Sequence, residues 1–226
     1  MFATTTREAG ASRAFVELSR LAGVRLALPP GLDSLCCGTP WSSKGLRSGH
    51  DTMRQRVLPA LWEASRHGEL PVVCDASSCT EGLRSSLAAA AEGGPYDGLR
   101  VIDAVEFVSQ HVLERIEVKR RLPSLALHPT CSSTRLDLDG ALRSLAGAVA
   151  DEVVVPQAWG CCAFAGDRGL LHPELTASAT RAESAELAGR TYAAYASCNR
   201  TCEIGMTRAT GHEYQNILEL LWEAVR

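Results

Sequence analysis

Two adjacent cysteine pairs, in Leu35-Cys36-Cys37-Gly38 and Gly160-Cys161-Cys162-Ala163, set the register of an internal repeat that constrains the fold more than any other feature. Upstream of each pair runs an amphipathic helical pattern, then a short apolar segment closed by proline. In the first copy these occupy residues 14–22 and 24–29, and in the second residues 138–149 and 153–156. Short, branched, proline-closed segments read as strands. Downstream, each pair leads through a glycine-containing loop to a helix over residues 51–66 or 173–188, the latter with Pro173 and Glu174 in its first turn. Strands are then expected at 70–73 and 192–196, followed by Cys79 or Cys202 with a glycine three positions later, and by closing helices at 105–116 and 214–225. A further strand, Leu125-Ala126-Leu127, precedes His128-Pro129-Thr130-Cys131 in the second copy.

This alternation predicts an α/β chain built as two tandem pseudo-repeated domains, residues 1–120 and 121–226, each with a small parallel or mixed sheet. The boundary falls near residues 118–124, where charged residues and Pro123 interrupt the apolar pattern and Lys119-Arg120-Arg121 reads as a solvated linker.

Nine cysteines matter because of where the chain is expected to reside. Residues 1–10 are polar and carry no apolar export signal, and no apolar run approaches the roughly 18 residues that a membrane span needs. A cytoplasmic location is therefore expected, where cysteines serve as metal ligands or redox groups more often than as disulfides. A net charge of −3 and an aromatic content of 5% argue against a nucleic-acid surface.

The repeat ranks the thiols. Cys36, Cys37 and Cys79 match Cys161, Cys162 and Cys202, whereas Cys74 and Cys198 are out of register with each other. Cys131 has its first-copy counterpart near Thr4–Thr6, where no cysteine stands. Three or four thiolates at strand ends favour iron–sulfur clusters or zinc over hard cations. Adjacent cysteines leave the backbone in different directions, which suits several metal atoms of one cluster better than a single zinc, whose usual Cys-x2–4-Cys knuckles are absent. Gly38, Gly166 and Gly169 allow close backbone approach, Lys44 can offset cluster charge, and Trp41 and Trp159 flank the pairs. His128 and His172 precede prolines and are expected in structural or capping roles.

The segments Cys36-Cys37-Gly38-Thr39-Pro40-Trp41, His128-Pro129-Thr130-Cys131, Cys161-Cys162-Ala163-Phe164-Ala165-Gly166 and Asn199-Arg200-Thr201-Cys202-Glu203-Ile204-Gly205 resemble the cysteine-rich CCG domain. That domain occurs twice in the cysteine-rich subunit of heterodisulfide reductase and in the iron–sulfur parts of glycolate and FAD-linked D-lactate oxidoreductases. The resemblance implies 4Fe-4S clusters, held by Cys36, Cys37 and Cys79 in one copy and by Cys131, Cys161, Cys162 and Cys202 in the other. It also implies electron exchange with a flavin-containing oxidase domain outside this chain and with a downstream acceptor. The family's distal Cys-x-x-Cys is replaced here by Cys74-x4-Cys79 and Cys198-x3-Cys202, and its earlier cysteine has no counterpart, so Met1 would be internal to a longer protein and the first cluster incomplete. A thiol–disulfide enzyme and a zinc-stabilised interaction module are the alternatives from the cysteines alone.

Overall fold

A three-residue strand persists only where parallel neighbours take up its backbone groups, and this requirement organises the chain. The computed structural model describes residues 10–90 and 93–226. The first copy runs α1 (Ala11–Leu21), α2 (Thr39–Ser42), α3 (Arg47–Ala64), β1 (Val72–Cys74), α4 (Ser77–Ala88), β2 (Val101–Asp103) and α5 (Ala104–His111). The second runs β3 (Leu125–Leu127), α6 (Cys131–Arg135), α7 (Asp139–Val149), β4 (Val153–Val154), α8 (Arg168–Leu171), α9 (Pro173–Ala179), α10 (Arg181–Leu187), β5 (Ala194–Ser197), α11 (Arg200–Thr210), β6 (Tyr214–Asn216) and α12 (Ile217–Val225). The architecture is α/β, with β1 and β2 in one parallel sheet and β4-β3-β5-β6 in another, also parallel throughout.

The unit β1-α4-β2-α5 recurs as β5-α11-β6-α12. Strand register pairs Cys74 with Asp103 and Ser197 with Asn216, so these two pairs occupy equivalent positions. Cys79 and Cys202 are each the third residue of the helix that follows, α4 or α11. By the same register Cys74 corresponds to Ser197, and Cys198 to Asp75.

Strand alternation serves two cores. Leu125 and Leu127 face a cluster shared by both copies, which includes Phe15 and Leu18 of α1, Val105 and Val108 of α5, Leu142 and Leu145 of α7, and Leu218 and Leu221 of α12. Ala126 faces the opposite way, into a cluster containing Cys162, Phe164, Leu187, Cys202 and Met206. A third cluster places Cys37 with Val57, Leu58, Leu61 and Leu83.

Several expected elements differ. Residues 24–28 form no strand, and Leu26 and Leu28 are exposed. Among the described residues this segment has no sheet neighbour, whereas its counterpart β4 pairs with β3; the first-copy position equivalent to β3, around Thr4–Thr6, lies outside the described residues. Residues 173–188 divide at Thr180 into α9 and α10, and residues 214–216 form a strand before the last helix begins. Lys119, Arg120 and Arg121 are solvent-exposed, as expected of the linker, and they are also anchored. The Lys119 and Arg120 amides both donate to the Ala224 carbonyl. The Arg121 guanidinium donates to the Gly147, Ala148 and Ala150 carbonyls and pairs with Asp151, closing the C-terminal end of α7. No helix among the described residues is long and apolar enough to cross a membrane.

Asp103 and Asn216 cap α5 and α12, accepting from the Val105 and Leu218 amides. Asn216 also donates to Glu203 at 2.8 Å, inside the fold. Asn216→Ala removes a cap and a partner of a buried carboxylate together, so a loss of about 2–3 kcal/mol is expected. A fall in the urea midpoint at unchanged slope checks it.

Candidate metal centre

The first cysteine pair lies in a loop that turns at Gly38, whose φ of 84° is in the left-handed region. The turn brings Cys37 Sγ to 3.2 Å from Cys79 Sγ, in the first turn of α4. Thr39 Oγ1 lies 3.4 Å from the Cys37 sulfur and donates to the Ser78 carbonyl at 3.3 Å. Cys36 is half-buried; the neighbouring Cys37 sulfur and burial push its thiol up. Cys74 ends β1, and burial raises its thiol to about 12.

Of the glycines three positions after the distal cysteines, Gly82 has a steric reason and Gly205 does not. A Cβ at Gly82 would sit 2.2 Å from Thr39 Oγ1, so α4 can press against the Cys37 loop only without a side chain there. At Gly205 the nearest atoms, in Phe164 and Cys162, would be 3.4–3.6 Å away, an ordinary contact. Gly82→Ala therefore displaces the Thr39 hydroxyl and is expected to cost a net 1–2 kcal/mol, roughly overpacking less the helix-propensity gain. Gly205→Ala is expected to be neutral or slightly stabilising. Thermal unfolding of the two variants side by side tests the asymmetry.

In the second copy the loop after Cys162 holds Ala163 and Ala165 at φ of 55° and 42°, followed by Gly166 at 72°. Two such excursions within three residues are unusual for alanine and are held by tertiary packing, here by Phe164, which is fully buried between them. The result places Cys162 Sγ 3.2 Å from Cys202 Sγ, and Cys161 Sγ 4.0 Å from Cys131 Sγ. The first pair is buried and the second partly open. Cys131 also receives the Arg135 guanidinium at 3.6 Å, and Cys161 the Ala163 amide at 3.4 Å.

Hydrogen bonding within each pair separates the thiols. The Cys202 thiol supports Cys162 as a thiolate, with help from His128 and against burial, so Cys162 titrates low and Cys202 high. Cys131 likewise lowers Cys161 while its own thiol rises. Cys162 and Cys202 join His128 in a buried group whose ligand atoms lie within 4.8 Å of one another, a donor set that can hold a metal ion.

His128, expected in a structural or capping role, lies beside these two sulfurs. It follows β3 directly, is fully buried, and its Nδ1 lies 2.8 and 3.0 Å from the two carboxylate oxygens of Glu183 on α10. Burial opposes charge on the ring, but the adjacent Cys162 and Glu183 overcome it and raise the pKa to about 9. Nothing local in the sequence marks Glu183, because an acidic residue on an amphipathic helix ordinarily faces solvent. His172 is exposed at the start of α9, 3.1 Å from Glu174. Cys198 is buried in the shared core, its sulfur 3.8 Å from Thr130 Oγ1 and its thiol pushed up to about 12 by burial.

The two groups of thiols face a common seam. Across it, Ser77 and Thr130 hydroxyls meet at 3.2 Å, Arg135 pairs with Glu81 at 2.7 Å, and Ser78 donates to Asn199 at 3.5 Å. Lys44, expected to offset cluster charge, instead pairs with Asp167 at 2.6 Å and ties one cysteine loop to the other. No family model matches the chain, and a comparison with curated proteins found no similar one.

Proposed function

We propose that the chain is an iron–sulfur electron-transfer module of a flavin-linked 2-hydroxy-acid oxidoreductase, with the flavin and substrate chemistry on a separate domain or partner. The observation that carries the reading is the convergence of Cys131, Cys161, Cys162 and Cys202, from three separate stretches of sequence, into two close sulfur pairs. The donor chemistry fits: soft thiolates dominate, one pair is closed off by Phe164, Leu187 and Met206, and the other reaches the surface. Cys36, Cys37 and Cys79 would form the corresponding set in the first copy. Bound there, an iron–sulfur cluster supplies one-electron transfer at a potential tuned by ligands, hydrogen bonds and exposure.

The chain's own groups have definable parts. The Ala163 amide and the Arg135 guanidinium donate toward Cys161 and Cys131, favouring their thiolate forms. Thr39 orients toward Cys37, and the Glu81–Arg135 pair links α4 to α6. The resemblance to CCG domains supplies the oxidoreductase context, and the sulfur geometry supports the metal. Anaerobic reconstitution followed by iron and acid-labile sulfide analysis tests the proposal. Both elements are expected in stoichiometric amounts with a brown, reducible chromophore; folded, reconstituted protein containing neither overturns it.

A further inference from the structure

A histidine buried for structural reasons ordinarily satisfies both ring nitrogens, since an unpaired polar atom away from water costs about 1–3 kcal/mol. His128 satisfies one. Its Nδ1 is held by both oxygens of Glu183, and its backbone is pinned by the Ala196 carbonyl and the Ser197 hydroxyl. Its Nε2 is buried without a hydrogen-bond partner, and the ring brings a nitrogen within 4.8 Å of the Cys162 and Cys202 sulfurs. A ring fixed this firmly, and set beside two cysteine sulfurs, has the arrangement of a metal-binding histidine oriented by a carboxylate.

Glu183 strengthens the case. It is 1% exposed, and among the described residues its carboxylate accepts hydrogen bonds from His128 alone. Burying a carboxylate is costly, and a single histidine partner repays little unless the pair has a further task.

We propose that His128, oriented by Glu183, is a metal ligand through Nε2, so that the second centre is a mixed nitrogen–sulfur site with Cys162 and Cys202. This rests on the reading of that site as metal-binding and adds what kind of ligand completes it. An uncharged imidazole in place of a thiolate leaves the bound group less negative, which favours its reduced state, as histidine ligation does in other iron–sulfur centres.

The test combines two probes. In the first, protein with its histidines labelled with nitrogen-15 is reconstituted anaerobically with iron and sulfide, reduced to a paramagnetic state and examined by pulsed EPR. A ligand-strength nitrogen-15 coupling is expected, and its disappearance in His128→Leu assigns it. Absence of such a coupling from loaded wild type, or its persistence in His128→Leu, overturns the inference. In the second, cobalt(II) alone is titrated into the reduced apoprotein, which reads the ligand set even if no iron–sulfur cluster assembles. His128→Leu, and Glu183→Gln as the milder variant should the first not fold, are expected to weaken cobalt binding by about 10–100-fold. Wild-type affinity in a folded Glu183→Gln and an unchanged cobalt spectrum would overturn it. A protein that takes up cobalt through His128 but no iron or sulfide refutes the cluster reading while upholding this one.

Discussion

Replacing Cys202 with serine is expected to abolish cluster retention in the second centre, lowering its bound iron by more than the roughly 10–100-fold that loss of a supporting residue costs a metal site. The sulfur is buried, sits 3.2 Å from Cys162, and occupies the first turn of α11, where the helix N-terminus favours a thiolate once a metal displaces the proton. A serine hydroxyl is a poorer donor to iron and leaves Cys162 without its partner. Cys198→Ser is the control. That residue lies four positions away and is equally buried, but it packs in the core shared by the two copies, next to Thr130. It should keep its iron and lose only modest stability. Iron counted per protein after anaerobic desalting checks both. If the two variants lost iron equally, the separation drawn between site and core sulfurs would be wrong.

The second large effect concerns folding. Phe164→Ala is expected to destabilise the apoprotein by about 3–5 kcal/mol, the range for emptying a buried aromatic position. The ring has no solvent exposure, and the Arg208 guanidinium lies 5.7 Å from its centre. It also presses on the backbone at Gly169, where a Cβ would fall 2.4 Å from the ring. Because Phe164 stands between Ala163 and Ala165, its packing stabilises the left-handed conformations that aim Cys161 and Cys162 in different directions. The variant should therefore lose stability and, in addition, the close approach of Cys162 to Cys202. Denaturant unfolding measures the first effect, and the rate of thiol alkylation at Cys162 measures the second. A change below about 1 kcal/mol would mean that the loop is not held by this ring.

These expectations depend on features of unequal visibility. The equivalence of Cys79 and Cys202 can be read from spacing alone, because each is followed by glycine and a long apolar residue, and helix register supports it. That both stand in the first turn of a helix is not legible in the sequence. Ala76 is no capping residue, and Asn199, though a favoured type at an N-cap, makes no side-chain capping bond. Strands β2 and β6 escape a reading by pattern because each runs without a break into the helix that follows, α5 or α12, so that their few residues merge with its apolar pattern. The apolar segment at 24–28 has the composition of a strand, yet composition cannot supply the neighbour that a strand needs.

What the order of residues determined by itself was the α/β alternation, the duplicated cysteine pattern, and the separation of repeat-matched thiols from Cys74 and Cys198. These are local or periodic properties, set by hydrophobic spacing and by the repetition of one unit. Which sulfurs meet, and that His128 joins them, was decided only by tertiary structure. The Glu183 contact spans 55 positions and the Cys37–Cys79 contact 42. Such separations are closed by the packing of α10 against α11 and of α4 against β1 and β2, and no one-dimensional pattern records the burial that leaves Nε2 of His128 without a partner.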